Sequence, residues 1–237
     1  MTTPLYQTDS YLREFEARVV EINKDDNSVA LDQTAFYPGG GGQPCDTGMI
    51  MVGGDTLNVT KVKRQGDLIF HTHDGEPPEV GTAVKGVINW DNRYKLMRTH
   101  TALHILCGVI WRDYKASVTG GNMEPLKGRM DFEFETMRQE LVKEIEEKVN
   151  VEVANARDVM VKILPREEAF KIPDLIRTRI NLLPEAITEV RTVEIAGLDL
   201  QADGGTHVAN TGEVGIVKVV DYKSKGRINK RIHIELE

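Results

Sequence analysis

The residues of this 237-residue sequence best suited to chemistry are its histidines, of which there are six. His100 and His104 stand four apart; on a helix their imidazoles project from one face with Cβ atoms about 5–6 Å apart, close enough to share one ion. Spacing alone carries little, because two helix histidines that satisfy polar neighbours or face solvent give the same pattern. A second segment, Gln201-Ala202-Asp203-Gly204-Gly205-Thr206-His207, shifts the balance. Its Gly-Gly pair permits a tight backbone path that aims Asp203 and His207 at one point, although a plain Asp-Gly turn is the competing reading. Together the two pairs make a four-ligand site of three imidazoles and one carboxylate, or three ligands with the fourth position left for water or substrate. Nitrogen-rich ligation with at most one carboxylate suits Zn2+ better than Mg2+ or Ca2+. A zinc peptidase is a poor reading, because the H-E-x-x-H pattern needs a glutamate where this sequence has Thr101.

The histidine pair requires a helix, and one is predicted from near Trp90 through about Tyr114. Asp91 can cap it, and Tyr94, Met97, Thr101, His104, Ile105, Gly108 and Ile110 fall near one face. From Leu12 to about Asn89, short β-type runs at Phe15–Ile22, Ser28–Leu31, Met49–Val52, Leu57–Val62, Leu68–His71 and Ala83–Ile88 are separated by turn residues, which predicts a small antiparallel barrel. Beyond the helix come a glycine-containing loop and a half-buried strand at Arg129–Glu135. An amphipathic helix follows, marked by Leu141, Ile145, Val149 and Val153. Strands at Val159–Leu164 and Val190–Ile195, a short helix at Arg166–Lys171, and a closing hairpin complete the pattern. That hairpin pairs Val214–Tyr222 with Asn229–Leu236 and turns at Lys223-Ser224-Lys225-Gly226. The fold class is therefore α+β: an N-terminal small antiparallel β-barrel over residues 1–89, then an α+β domain over 90–237 with a mainly antiparallel sheet.

Composition limits the function classes. With 40% apolar and 28% charged residues, disordered, collagen-like and fibrous chains are unlike this one. A net charge of −7 argues against coating nucleic acid by bulk charge while allowing a local basic patch. Cys45 and Cys107 lack C-x-x-C spacing and predict a reducing compartment; Cys107, one turn beyond His104, reads as a packed core thiol. Met1-Thr2-Thr3-Pro4-Leu5-Tyr6 shows no basic stretch before an apolar core, and no apolar run approaches the ~18–20 residues of a membrane span. A cytoplasmic enzyme or binding protein with no membrane attachment is expected.

Read together, Arg98-Thr99-His100-Thr101-Ala102-Leu103-His104 and Gly204-Gly205-Thr206-His207-Val208 resemble the two zinc motifs of the alanyl-tRNA synthetase editing domain and its free-standing relatives, the AlaX alanyl-tRNA editing proteins. Ala35-Phe36-Tyr37-Pro38-Gly39-Gly40-Gly41-Gly42-Gln43-Pro44-Cys45-Asp46-Thr47-Gly48 is similar to the glycine-rich segment of the two-domain AlaX form, and the Lys223–Gly226 turn fits as well. The resemblance covers about residues 10 to 236. It implies a β-barrel followed by a zinc-containing α+β editing core that hydrolyses the ester joining Ser or Gly to tRNA for alanine. The family usually carries Cys where this sequence has Asp203, so either Asp203 ligates the metal or it stands behind three histidines.

No Ser-His-Asp order or activated cysteine supports a covalent route, so attack on the ester by a water held at the metal is expected, with no side-chain base assigned. The metal would lower the pKa of that water, or grip the amino group or ribose and orient the ester. Thr119, followed by Gly120, reads as a turn threonine or as a partner for the misplaced seryl hydroxyl. Gly39, Gly40, Gly41, Gly42 and Gln43 read as a flexible barrel loop or, by resemblance, as a contact for the acceptor end. Arg93 and Arg98 on the histidine helix are candidate phosphate contacts. Basic residues gather at Lys218, Lys223, Lys225, Arg227, Lys230 and Arg231, forming a solvated hairpin face or a tRNA contact, and the Glu133–Glu147 stretch reads as solvent-facing helix. The alternative to a deacylase is a tRNA- or partner-binding module of the same fold without that activity. A complete synthetase would need an activation domain for which the chain has no signals.

Overall fold

Buried Phe15, Ala17 and Val19 alternate with outward Glu14, Glu16 and Arg18, and this period of two makes Glu14–Asn23 a half-buried strand, β1. In the computed structural model, which describes residues 1–177 and 187–237, it joins β2 (Ser28–Leu31), β3 (Gly48–Val52), β4 (Asp55–Gln65), β5 (Leu68–His73) and β6 (Ala83–Ile88). These six close an antiparallel barrel in the order β1-β2-β5-β4-β3-β6, so none of them is left as an open edge. Phe15, Val19, Leu31, Phe36, Ile50, Val59, Ile69 and Val84 fill its interior. Gly86 leaves room for one of these side chains, since a Cβ there would lie 2.3 Å from the Phe15 ring.

One histidine is part of that interior. His71 Nδ1 lies 3.1 Å from the Val29 carbonyl and its Nε2 lies 2.9 Å from the Thr34 hydroxyl. A carbonyl only accepts, so Nδ1 carries the proton and Nε2 accepts from Thr34. Burial lowers the pKa of His71 to about 4. The unfolded chain, titrating near 6.5, binds a proton that the folded barrel refuses, so stability is present above pH 6.5 and declines as pH falls toward 4. The expected result is a His71 imidazole signal that does not titrate between pH 8 and 5.5, with a lower urea midpoint at pH 5 than at pH 7. Titration of His71 near 6.5 in the folded protein would contradict this.

The chain divides into two compact units, Met1–Lys95 and Leu96–Glu237, and the division falls inside helix α1 (Trp90–Tyr114). The Asn89 side chain accepts the Asn92 N–H at 3.3 Å, so Asn89 rather than the expected Asp91 caps α1. Asp91 instead pairs with Lys95.

In the second unit, residues 118–122, expected as loop, belong to β7 (Val118–Glu124), which pairs with β8 (Lys127–Glu133). Gly120 and Gly121 suggested a loop, but a backbone ladder needs no side chain, and the pairing register shifts between Asp131 and Phe132, beside the glycines. Helix α2 (Gln139–Ala154) buries Val142, Ile145, Val149, Glu152 and Val153. Val142 therefore takes the place expected of Leu141, and residues 133–138 lie outside the helix. Sequentially, β9 (Val159–Pro165), α3 (Arg166–Ala169), β10 (Glu189–Ile195) and β11 (Asp199–Ala202) follow, then β12 (Val217–Ser224) and β13 (Asn229–Leu236). Two antiparallel sheets result, ordered β12-β13-β8-β7 and β9-β10-β11. Asn150 of α2 bonds both the N–H and the carbonyl of Val217, holding the helix to β12. No helix among the described residues is long and apolar enough to cross a membrane.

Candidate metal centre

Helical periodicity and one tight loop assemble the site. His100 and His104 lie one turn apart on α1, and the loop that leaves β11 returns Asp203 and His207 against them. One ligand-capable atom from each of the four lies within 4.8 Å of the others. Imidazole centroids are 4.2 Å apart for His100 and His207, 4.7 Å for His104 and His207, and 5.1 Å for His100 and His104. Asp203 Oδ2 lies 3.0 Å from His207 Nε2, and its Oδ1 lies 3.5 Å from His100 Nε2. Three imidazoles and one carboxylate converging at this range fit a divalent transition metal.

Local contacts hold the loop in shape. Asp203 Oδ2 accepts the Gly205 N–H at 2.7 Å, an Asx turn, and Arg191 of β10 donates to the Asp203 carbonyl at 2.9 Å. His207 Nδ1 lies 3.2 Å from the Thr101 hydroxyl, which also accepts the Val208 N–H. Thr101, where a peptidase would carry its glutamate, thus sets the orientation of the facing histidine. Neither Thr101 nor Arg191 had a signal in sequence beyond its position in an element. Gly204 has open space around it and no left-handed φ, so the turn itself does not demand glycine there.

Burial supplies the electrostatics. It holds the His100 pKa well below 6.5 and lowers that of His207 to about 4, so both are neutral at pH 7, as imidazole ligands must be. Burial alone would raise the Asp203 pKa, but the facing His100 and His207 hold it well below the usual carboxylate range. At 15% side-chain exposure, Asp203 is the member of the four that solvent reaches most, against 2–7% for the imidazoles.

Other expected site residues lie elsewhere. Thr119 is exposed on β7 and donates its hydroxyl to Asn229 at 2.9 Å, with Gly120 beside it. In the first unit, Gly39, Gly40, Gly41 and Gly42 all have positive φ, and Gly40 and Gln43 exchange both backbone hydrogen bonds around Gly41-Gly42. The run is an ordered tight hairpin in which each glycine is conformationally required. Gln43 is buried and Gly41 exposed at the tip.

Two arginines correct the phosphate expectation. Arg93 is fully buried, ion-paired with Asp46 and donating to the Ser10 and Ala35 carbonyls. Arg98 is half-buried, with its guanidinium on the Val214 and Glu237 backbone oxygens. Both are committed to the fold. In the basic run, Lys218 pairs with Glu237, Lys223 with Asp221 and Arg231 with Asp131, while buried Lys230 bonds the Gly226 and Arg227 carbonyls. Lys225 and Arg227 remain exposed at the hairpin tip.

Comparison with known proteins agrees with this anatomy. Residues 8–92 match the family model for class II (A) tRNA synthetases, and residues 190–233 match the second additional domain of threonyl and alanyl tRNA synthetases. The chain is 40% identical to an alanyl-tRNA editing protein AlaX-M of Saccharolobus solfataricus over 98% of both chains. It is 38% identical to the AlaX-M protein of Methanosarcina barkeri over 100% of this chain and 99% of that one. An alanine–tRNA ligase of Ignicoccus hospitalis matches 94% of this chain at 38% identity, using 24% of its own length. A barrel, an α+β unit and a His/Asp cluster in the expected order, in a chain that aligns end to end with such relatives, place this protein in the AlaX-M family of alanyl-tRNA editing proteins.

Proposed function

We propose that this chain is a trans-acting deacylase that hydrolyses the ester of Ser-tRNA(Ala), Gly-tRNA(Ala) or both, with Zn2+ held by His100, His104, Asp203 and His207. The observation that carries the reading is the cluster of three buried imidazoles and one part-exposed carboxylate in a chain that aligns end to end with AlaX-M proteins. An alanine pocket discriminates weakly against a smaller side chain or one extra hydroxyl, so both errors need removal at a second site.

When bound, zinc supplies a Lewis acid that polarises oxygen. The rest falls to the chain's own residues. Burial keeps His100 and His207 neutral, and Asp203 contributes the single negative charge. Asp203 and Gly204 form the open side, by which the ester enters, because the imidazoles are enclosed. Thr119 and Gly120 are assigned to the seryl hydroxyl, the Gly39–Gly42 amides with Gln43 to the acceptor end, and Lys223, Lys225 and Arg227 to backbone phosphates. Residues 1–89 act as the barrel domain and 90–237 as the hydrolytic domain, working where tRNA is charged, in the cytoplasm.

Incubation with Ser-, Gly- and Ala-tRNA(Ala) tests the reading. Release of Ser or Gly with Ala spared is expected; salt-sensitive tRNA binding without release of either would instead favour a binding module. A sharper check uses the open space at position 204. Gly204→Val is expected to leave the thermal midpoint nearly unchanged while slowing deacylation roughly tenfold or more, since it narrows the entrance rather than the core. Equal losses of stability and rate would contradict that placement.

A further inference from the structure

Behind the four-residue cluster lies a carboxylate that the cluster does not include. Asp199 opens β11 with its side chain fully buried, and its Oδ2 lies 3.3 Å from His104 Nδ1 while accepting the Gln201 side-chain N–H at 2.6 Å. Its Oδ1 faces Arg177 Nε at 3.5 Å, and that guanidinium lies 4.8 Å from the Trp111 ring centroid. Gln201 also reaches Cys107 Sγ at 3.3 Å.

The helix is shaped to admit this group. Gly108 lies one turn beyond His104, and a Cβ there would stand 2.9 Å from Leu198 Cγ and 3.0 Å from Asp199 Cβ. Glycine inside a helix costs about 1 kcal/mol relative to alanine, and here its missing side chain lets β11 approach closely enough for Asp199 to meet His104.

The 3.3 Å approach stops short of a formed hydrogen bond, but a carboxylate can only accept, so the imidazole nitrogen facing it is favoured as the one that carries the proton. We infer that Asp199 is a positioning residue: it holds His104 as the Nδ1–H tautomer and fixes its ring, leaving Nε2 bare as the donor atom of the metal site. Asp199 supplies no ligand itself and acts through His104. This inference rests on the metal-site reading proposed above, but its tautomer component can be read in metal-free protein.

The test compares wild type with Asp199→Asn, whose amide keeps the shape and loses the charge. Nitrogen-15 NMR of histidine-labelled, metal-free wild type, recorded at a pH alkaline enough to remove the second proton that the facing carboxylates favour on His104, is expected to show the neutral His104 ring protonated at Nδ1, and the variant a mixture of tautomers. Zinc affinity, measured by competition with a chromophoric chelator, is expected to fall roughly 10–100-fold in the variant. Wild type with His104 protonated at Nε2, or a folded variant with unchanged zinc affinity, would overturn the inference. If the variant fails to fold, the wild-type tautomer alone decides. If wild type binds no zinc, the metal reading fails, and the tautomer still decides what Asp199 does to His104.

Discussion

His104→Ala is expected to retain little of the approximately one zinc per chain that wild type should carry, and to lose roughly a thousandfold in deacylation rate. The magnitude follows from what a Lewis acid contributes to ester hydrolysis, several kcal/mol, at 1.36 kcal/mol per tenfold in rate. His104 faces both other imidazoles, 5.1 Å from His100 and 4.7 Å from His207 by ring centroid, so its removal takes away one of the four donors and leaves space in its place. Elemental analysis and single-turnover deacylation on the same preparations would check both halves. Full zinc content with full activity would contradict the site. Asp203→Ala supplies the contrast: if it keeps wild-type zinc affinity, three histidines hold the ion and the carboxylate stands behind them.

The second large effect concerns stability. Asp46→Ala is expected to destabilise the barrel by about 3–5 kcal/mol, because it strands the fully buried Arg93 guanidinium without its counter-ion. Asp46 also accepts the Tyr37 N–H at 2.6 Å, closing the base of the glycine hairpin, so the same change unpins that loop. Against a typical domain stability of about 5–15 kcal/mol, this runs from about a fifth of the total to all of it. Urea unfolding would measure it, and a loss under about 1 kcal/mol would contradict the assignment. Replacing both partners with apolar residues, as in Asp46→Leu with Arg93→Met, is expected to cost less than Asp46→Ala alone, since no unpaired charge then remains.

Much of the site was legible because its signals are local. An i, i+4 histidine pair on a periodic helix and an Asp-Gly-Gly-x-His loop state their own geometry, and the barrel strands announce themselves by alternation at Phe15, Ala17 and Val19. What was not legible depends on partners distant in sequence. Arg93 looks like any surface arginine until Asp46 and two carbonyls enclose it, and residues 118–122 look like loop until β8 pairs with them. In α2 the buried stripe begins at Val142 rather than Leu141, since both are apolar and only packing decides between them. Asp199 carried no signal, and Thr101 none for its role beyond its place on the helix, because each role is defined by the histidine it faces.

The decisive measurement is deacylation of Ser-tRNA(Ala) by the purified protein before chelation, after chelation, and after zinc is restored, with metal content determined at each stage. The expected result is rapid release of serine that falls to background when zinc is removed and returns when about one equivalent is added. Undiminished release from protein shown to be free of metal would contradict a metal centre built from His100, His104, Asp203 and His207.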